Sequence, residues 1–281
     1  MIQSDNHIHT SFSADSDSPM ESMIQRGIEL NLSSLCFTEH MDYGFPSELY
    51  HMDFQFPVKE YFETIQKFSL QYPQITLRTG VELGLKKDIY DKAITLAASF
   101  PFDFIIGSTH LVDNIDPYYP EYWEAFGEEN GIRRYYETTY ENLSCDFDFD
   151  VYGHIDYIIR YCPSIKKAIA NGQGKESCLQ NALDDNWELI CEILKKLIDT
   201  GKGIEVNTGG LKAKLGHPNP HERIITQYKK FGGEIITVGS DAHEPAFLAH
   251  QFEQIPLLLV KCGFSSYTEF KKRKPIQIPL S

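Results

Sequence analysis

The segment FDFIIGSTH, residues 102–110, is a short apolar, β-branched run that ends on a histidine. A run of this kind suits a parallel strand buried on both faces, since a strand with one wet face would alternate apolar and polar residues. Further stretches share the design: 2–9, 33–40 (SSLCFTEH), 75–82 (ITLRTGVE), 148–154 (DFDVYGH), 203–207 (GIEVN) and 234–241 (EIITVGSD). Helical patterns fall between them, near 57–70, 87–98, 131–143, 184–199, 221–230 and 246–261. A first helix is announced by Ser18-Pro19-Met20-Glu21, with Ser18 expected to cap, Pro19 at the first helical position and Glu21 completing a capping box. Seven strands alternating with helices predict an α/β chain folded as a parallel barrel, related to the eight-stranded one. An open doubly wound sheet would need a phosphate loop at its switch point, and no G-x-G-x-x-G or Walker sequence is present.

The ends of the strands carry the chemistry. They close on His7-x-His9, His40, Glu82, His110, His154 and Asp241-x-His243, while the sixth ends on Asn207. A parallel barrel gathers the C-terminal ends of its strands at one face. There Asp5, His7 and His9 are expected to share a side of the first strand, because strand side chains alternate. Any one such histidine is more often a buried core residue. The set as a whole points to metal binding. Six histidines (7, 9, 40, 110, 154, 243) and three carboxylates (Asp15, Glu82, Asp241) exceed the needs of one tetrahedral ion and suit two or three. Imidazole and carboxylate without thiolate fit zinc, manganese or iron alike. Multi-metal sites polarise a phosphoryl group and generate hydroxide at neutral pH. Their residual positive charge suits a phosphate-monoester dianion better than a neutral amide or ester. His51, His217, His221 and His250 are read as non-ligands.

Composition narrows the partners. The chain of 281 residues has a net charge of −14, from 40 acids against 26 bases, which argues against a nucleic-acid surface. No apolar stretch is long enough for a membrane span, and the start, MIQSDNHIHT, resembles no secretory signal. Six scattered cysteines without a C-x-x-C pair fit free thiols in a cytoplasmic protein. No repeat or linker divides the chain, so residues 1–281 are read as one domain.

The motifs HIHTSFSAD, FTEH, GVELG, GSTH, YGHIDYIIRY and VGSDAH, in this order, resemble the polymerase and histidinol phosphatase (PHP) superfamily. DPYYPEYW (116–123) and GHIDYIIRY (153–161) point to its monofunctional histidinol-phosphatase branch. The resemblance implies a distorted (β/α)7 TIM-like barrel with a trinuclear metal site at the C-terminal ends of its strands. It implies a first ion on His7, His9, Glu82 and Asp241. Glu82 would bridge to a second on His110 and His154, and a third would lie on Asp15, His40 and His243. Many members carry histidine where this chain has Asp15. The implied reaction is hydrolysis of L-histidinol phosphate to L-histidinol and phosphate, with three divalent ions of the zinc, manganese or iron type. Asp241, His243 or a metal-bound water is expected to return the proton to the leaving alkoxide. Arg160, expected on a loop outside the ligand set, is a candidate phosphate clamp, since guanidinium matches phosphate bidentately. Tyr118, in the loop 111–130, is a candidate substrate contact, and the loop 41–56 is a candidate lid or receiver of the imidazole and ammonium. Alternatives are a PHP-type phosphoesterase acting on nucleotides or other small phosphate esters and an amidohydrolase-like metal hydrolase. The latter commonly uses a lysine bridge, and no strand here ends on lysine.

Overall fold

A computed structural model describes residues 1–280. Seven strands form one parallel sheet in sequence order: β1 (Ser4–Ile8), β2 (Ser34–Met41), β3 (Thr76–Gly84), β4 (Phe104–Ser108), β5 (Val151–Tyr152), β6 (Gly203–Asn207) and β7 (Ile236–Gly239). The register sets His40 beside Glu82 and Glu82 beside Ile106. The longer helices between the strands bury one stripe each on the outside of the sheet. Trp187–Asp199, for example, buries Ile190, Ile193, Leu194 and Leu197 at helical spacing, each worth about 1.5–3 kcal/mol relative to exposure.

The sheet curls into a nearly closed, TIM-like barrel. Its two edges meet through an isolated parallel bridge between Ile8 and Ala242. His9 N–H donates to the Ala242 carbonyl at 2.9 Å, and Asp241 N–H donates to that of His7 at 2.8 Å. Side chains complete the seam. Asp5 accepts from the Ser240 and Ala249 amides, both at 2.9 Å, and the Asn6 amide donates to Val238 at 2.8 Å. Gly239 is required here, because a Cβ at that position would stand 2.3 Å from His7 Cβ. The expectation that Asp5 shares a face with His7 and His9 fails. The pairing register of β1 shifts between Asp5 and Ile8, which re-aims the side chains, and Asp5 becomes a buried staple of the seam.

Arg78 and Glu82, four residues apart on β3, share the inward face, with Arg78 towards the N-terminal end of the strand and Glu82 towards its C-terminal end. Arg78 donates to Asn6 Oδ1 at 2.6 Å and to the Phe270 carbonyl at 3.1 Å. Phe270 lies on a hairpin, β8 (Ser266–Lys271) and β9 (Lys274–Pro279), and joins Cys36, Phe104, Ile106 and Val151 in a small separate core. This hairpin stops the N-terminal end of the barrel, leaving the other end for ligands.

The first helix runs from Met20 to Glu29 without a side-chain cap, and Ser18 does not cap it. Its hydroxyl instead donates to the His243 carbonyl at 2.8 Å, as does that of Ser16. The segment 111–130 is not all loop, since Pro120–Phe126 is helical. The region 246–261 is a single helix only over Ile255–Lys261, preceded by turns and two short 3-10 segments, Pro245–Phe247 and Phe252–Gln254.

Candidate metal centre

At the C-terminal ends of the strands, imidazoles crowd around one buried carboxylate. Glu82 Oε2 lies 3.0 Å from His7 Nε2, 3.4 Å from His9 Nε2 and 3.2 Å from His40 Nδ1. Its other oxygen, Oε1, lies 3.2 Å from His110 Nε2 and 2.8 Å from His154 Nε2, and accepts from the Ser108 hydroxyl at 2.7 Å. Asp241 Oδ1 stands 3.5 Å from His9 Nε2 and 3.8 Å from His7 Nε2. Towards the rim, Asp15 Oδ2 lies 3.0 Å from His243 Nε2 and 3.6 Å from His40 Nε2. All nine residues expected as ligands therefore meet in one cluster. Two of them, His154 (φ 22°) and Asp241 (φ 57°), adopt positive φ, which aims their side chains at a backbone cost.

The hydrogen bonds behind the rings fix their tautomers. His7 Nδ1 donates to Glu205 Oε1 at 2.6 Å, and His110 Nδ1 to Asp42 Oδ2 at 2.8 Å. Ser13 gives its proton to Glu39 at 2.7 Å, so its oxygen accepts from His9 Nδ1 at 3.2 Å. His243 Nδ1 is satisfied by the Asp241 carbonyl at 3.0 Å. The Nε2 atoms of these four rings are thus lone pairs aimed inward. Those of His7 and His9 face each other 3.0 Å apart beside a carboxylate, a repulsive array unless a cation lies within it. Buried ring nitrogens of His40 (Nδ1) and His154 (Nδ1) lack a hydrogen-bond partner. Groups of three ligand atoms close enough to share an ion occur at His7, His9 and Glu82, at Glu82, His110 and His154, and at His9, His40 and His243. The residues fit divalent cations, with His7, His9, His110 and His243 each oriented by a second hydrogen bond.

Electrostatics agree. Burial opposes ionisation of Glu82 and Asp241, yet neighbouring histidines hold both carboxyls well below the usual range. Burial disfavours the His40 imidazolium, but Asp15 and Glu82 overcome it and lift the ring from 6.5 to about 9. His7, His110 and His243 are also raised by adjacent carboxylates, against burial. Protons therefore substitute for cations in the metal-free cluster. A histidine raised on folding stabilises fully below its unfolded pKa, and that stability is lost as pH climbs through the folded value. The metal-free protein is expected to lose thermal stability between pH 6.5 and about 9. The loaded protein should instead lose it on acidification, when protons displace ions. Thermal denaturation across this range, with and without chelator, checks the reading; parallel profiles would refute it.

The cluster floors a cavity of about 460 Å³, also lined by Tyr157, Arg160, Tyr161, Lys166 and Lys212. Arg160 is not independent of the ligand set as expected. Its Nη1 donates to Asp241 Oδ2 at 2.8 Å, because the turn Tyr157–Arg160 lies directly over the seam residue. Tyr118 does not line this cavity. It is exposed and packs edge-on against Tyr161 beside a neighbouring cavity. In the segment 41–56, Asp42 orients His110 and Phe54 packs edge-on against His40. His51, His217, His221 and His250 belong to none of the ligand groups. Sequence reasoning missed Glu39, Asp42 and Glu205, the acids behind the ligands. For Glu205 a signal existed: an acid in the apolar strand GIEVN, two residues before its end.

Comparison with known proteins places this geometry. The histidinol-phosphatase of Lactococcus lactis subsp. lactis is 28% identical over 279 residues, covering 98% of this chain and 96% of that protein. A probable histidinol-phosphatase of Clostridium acetobutylicum is 29% identical, covering 96% and 97%. A crystal structure of the Lactococcus lactis histidinol phosphate phosphatase, complexed with zinc, L-histidinol and phosphate, superposes with a TM-score of 0.84 at 28% identity, covering 98% of this chain and 99% of that one. The fold is shared at 18% identity and a TM-score of 0.72 with a histidinol phosphatase structure, described as putative, from Listeria monocytogenes. The PHP domain family matches residues 5–209, most of the barrel and all of the ligand cluster except its last two members, and the chain belongs to that family.

Proposed function

We propose that this protein is a metal-dependent phosphomonoesterase that hydrolyses L-histidinol phosphate to L-histidinol and inorganic phosphate. The observation that carries the reading is Glu82, whose two oxygens each face a different histidine set on the floor of a cavity roofed by an arginine. His7, His9, Glu82 and Asp241 would hold one ion, Glu82, His110 and His154 a second, and Asp15, His40 and His243 a third. Divalent ions of the zinc class supply Lewis acidity and a water of lowered pKa when bound there. The relatives named above support the substrate, as does the crystal structure in which one of them holds L-histidinol, phosphate and zinc.

The chain's own groups divide the remaining work. Arg160 has five N–H donors; three are spent on Asn219, Asp241 and Asn207, leaving two for phosphoryl oxygens. Tyr157 and Tyr161 wall the cavity and exclude water from around the ester. Neighbouring histidines and Arg160 hold Asp241 ionised, which leaves His243 or a water to return the proton to the leaving alkoxide. The cysteines are all free, and the proposed compartment is the reducing cytoplasm. No helix among the described residues is long and apolar enough to cross a membrane.

The test loads the protein with zinc, manganese or iron(II) and follows phosphate release from L-histidinol phosphate, nucleoside monophosphates and single-stranded DNA. The reading requires histidinol phosphate to give the highest kcat/KM. A nucleotide preference would move the protein to another phosphoesterase activity.

A further inference from the structure

β6 is the one strand of the barrel that brings no candidate ligand to the metal centre, and its last residue is Asn207. That side chain is fully buried, and its hydrogen-bonding capacity is filled. Oδ1 accepts from Arg160 Nη2 at 2.6 Å and from the Gly209 amide at 2.8 Å. Nδ2 donates to Glu205 Oε2 at 3.1 Å and to Asp241 Oδ2 at 3.3 Å. Donors on one side and carboxylates on the other fix the amide's orientation and require both halves of it. Glu205 continues the path, accepting from His7 Nδ1 at 2.6 Å and from the His154 amide at 3.0 Å. Arg160 closes the ring on Asp241 at 2.8 Å.

We propose that Asn207 is a positioning residue that locks Arg160 to Asp241 and, through Glu205, to His7 and His154, so that the phosphate clamp and the ligands beneath it are set as one unit. The proposal rests on the reading of Arg160 as the phosphate clamp. Asn207 touches no substrate. It acts by leaving the two unspent guanidinium donors nowhere to turn but the cavity. Gly209 keeps the arrangement from above, since a Cβ there would stand 2.7 Å from both Arg160 Nη2 and Asn207 Oδ1.

The test is a double-mutant cycle on zinc-loaded protein: wild type, Asn207→Ala, Arg160→Ala and the pair. Each is measured for zinc content, for binding of inorganic phosphate by calorimetry, and for KM and kcat on L-histidinol phosphate. Asn207→Ala is expected to weaken phosphate binding and raise KM about tenfold, with a smaller loss in kcat, as expected when binding orientation is lost. Added to Arg160→Ala, it should weaken phosphate binding much less than it does alone, because the guanidinium it positions is gone and only its hold on Asp241 and Glu205 remains. Equal losses on both backgrounds, or unchanged phosphate affinity in Asn207→Ala, would overturn the proposal. If Asn207→Ala does not fold, Asn207→Ser takes its place in the same cycle. Non-additive phosphate binding without hydrolysis of histidinol phosphate would sink the proposed substrate and leave the role of Asn207 standing.

Discussion

Glu82→Gln is expected to reduce turnover to background and to strip the protein of two ions, not one. Each carboxylate oxygen faces its own ring set, His7, His9 and His40 on one side and His110 and His154 on the other. An amide keeps the shape but presents one weak acceptor and one NH2 group. Whichever way it turns, that NH2 meets lone pairs that await a cation. The loss should exceed the roughly 10–100-fold seen when a hydrogen-bond partner behind a metal ligand is removed. Metal analysis and kcat are measured together, with His110→Ala, a terminal ligand, as the comparison. Retention of full metal content with more than a tenth of wild-type turnover would show that Glu82 does not bridge.

Asp15→Ala carries the second largest expectation: loss of one ion of three and a large fall in kcat, with the other two retained. Asp15 sits in the loop between β1 and the helix Met20–Glu29, where a side chain can be aimed without breaking a ladder. Its oxygen faces His243 at 3.0 Å and His40 at 3.6 Å. The loop is pinned by the Ser16 and Ser18 hydroxyls on the His243 carbonyl, both at 2.8 Å. A residue that merely favoured the following helix N-terminus would contribute about 0.3–1 kcal/mol to stability and nothing to turnover. Three ions per chain and near-normal turnover in Asp15→Ala would establish that lesser role. Asp15→His should restore much of the activity, since imidazole is also a ligand for such cations and many members of the family carry histidine there.

The fold and the ligands were legible for one physical reason. In a parallel barrel the end of each strand is also its place at the mouth, so a linear pattern of strand ends maps directly onto a cluster. The residues behind the ligands were illegible for the converse reason. Glu205 meets His7 only because β6 and β1 both border β7 across the seam, and Glu39 meets His9 only through Ser13. Ser18 carried a capping signature, but a carbonyl 225 residues away took its hydroxyl. The hairpin β8–β9 gave no signal because β9 is exposed along nearly its whole length and so shows no burial period.

The seam between the two edges of the barrel has a consequence for how the protein lives and dies. Few backbone bonds cross it, and the first ligand set straddles it, with His7 and His9 on one edge and Asp241 on the other. A cation bound there would be a rivet, joining the first strand of the barrel to its last. Chelation should therefore unlatch the seam locally before the barrel melts, through a sub-global opening. Amide protons of His9 and Asp241 should exchange with solvent much faster in the metal-free protein, while those of β3 and β4 stay protected. Metal scarcity would then set the protein's susceptibility to proteolysis, and its cellular lifetime, as well as its catalytic state.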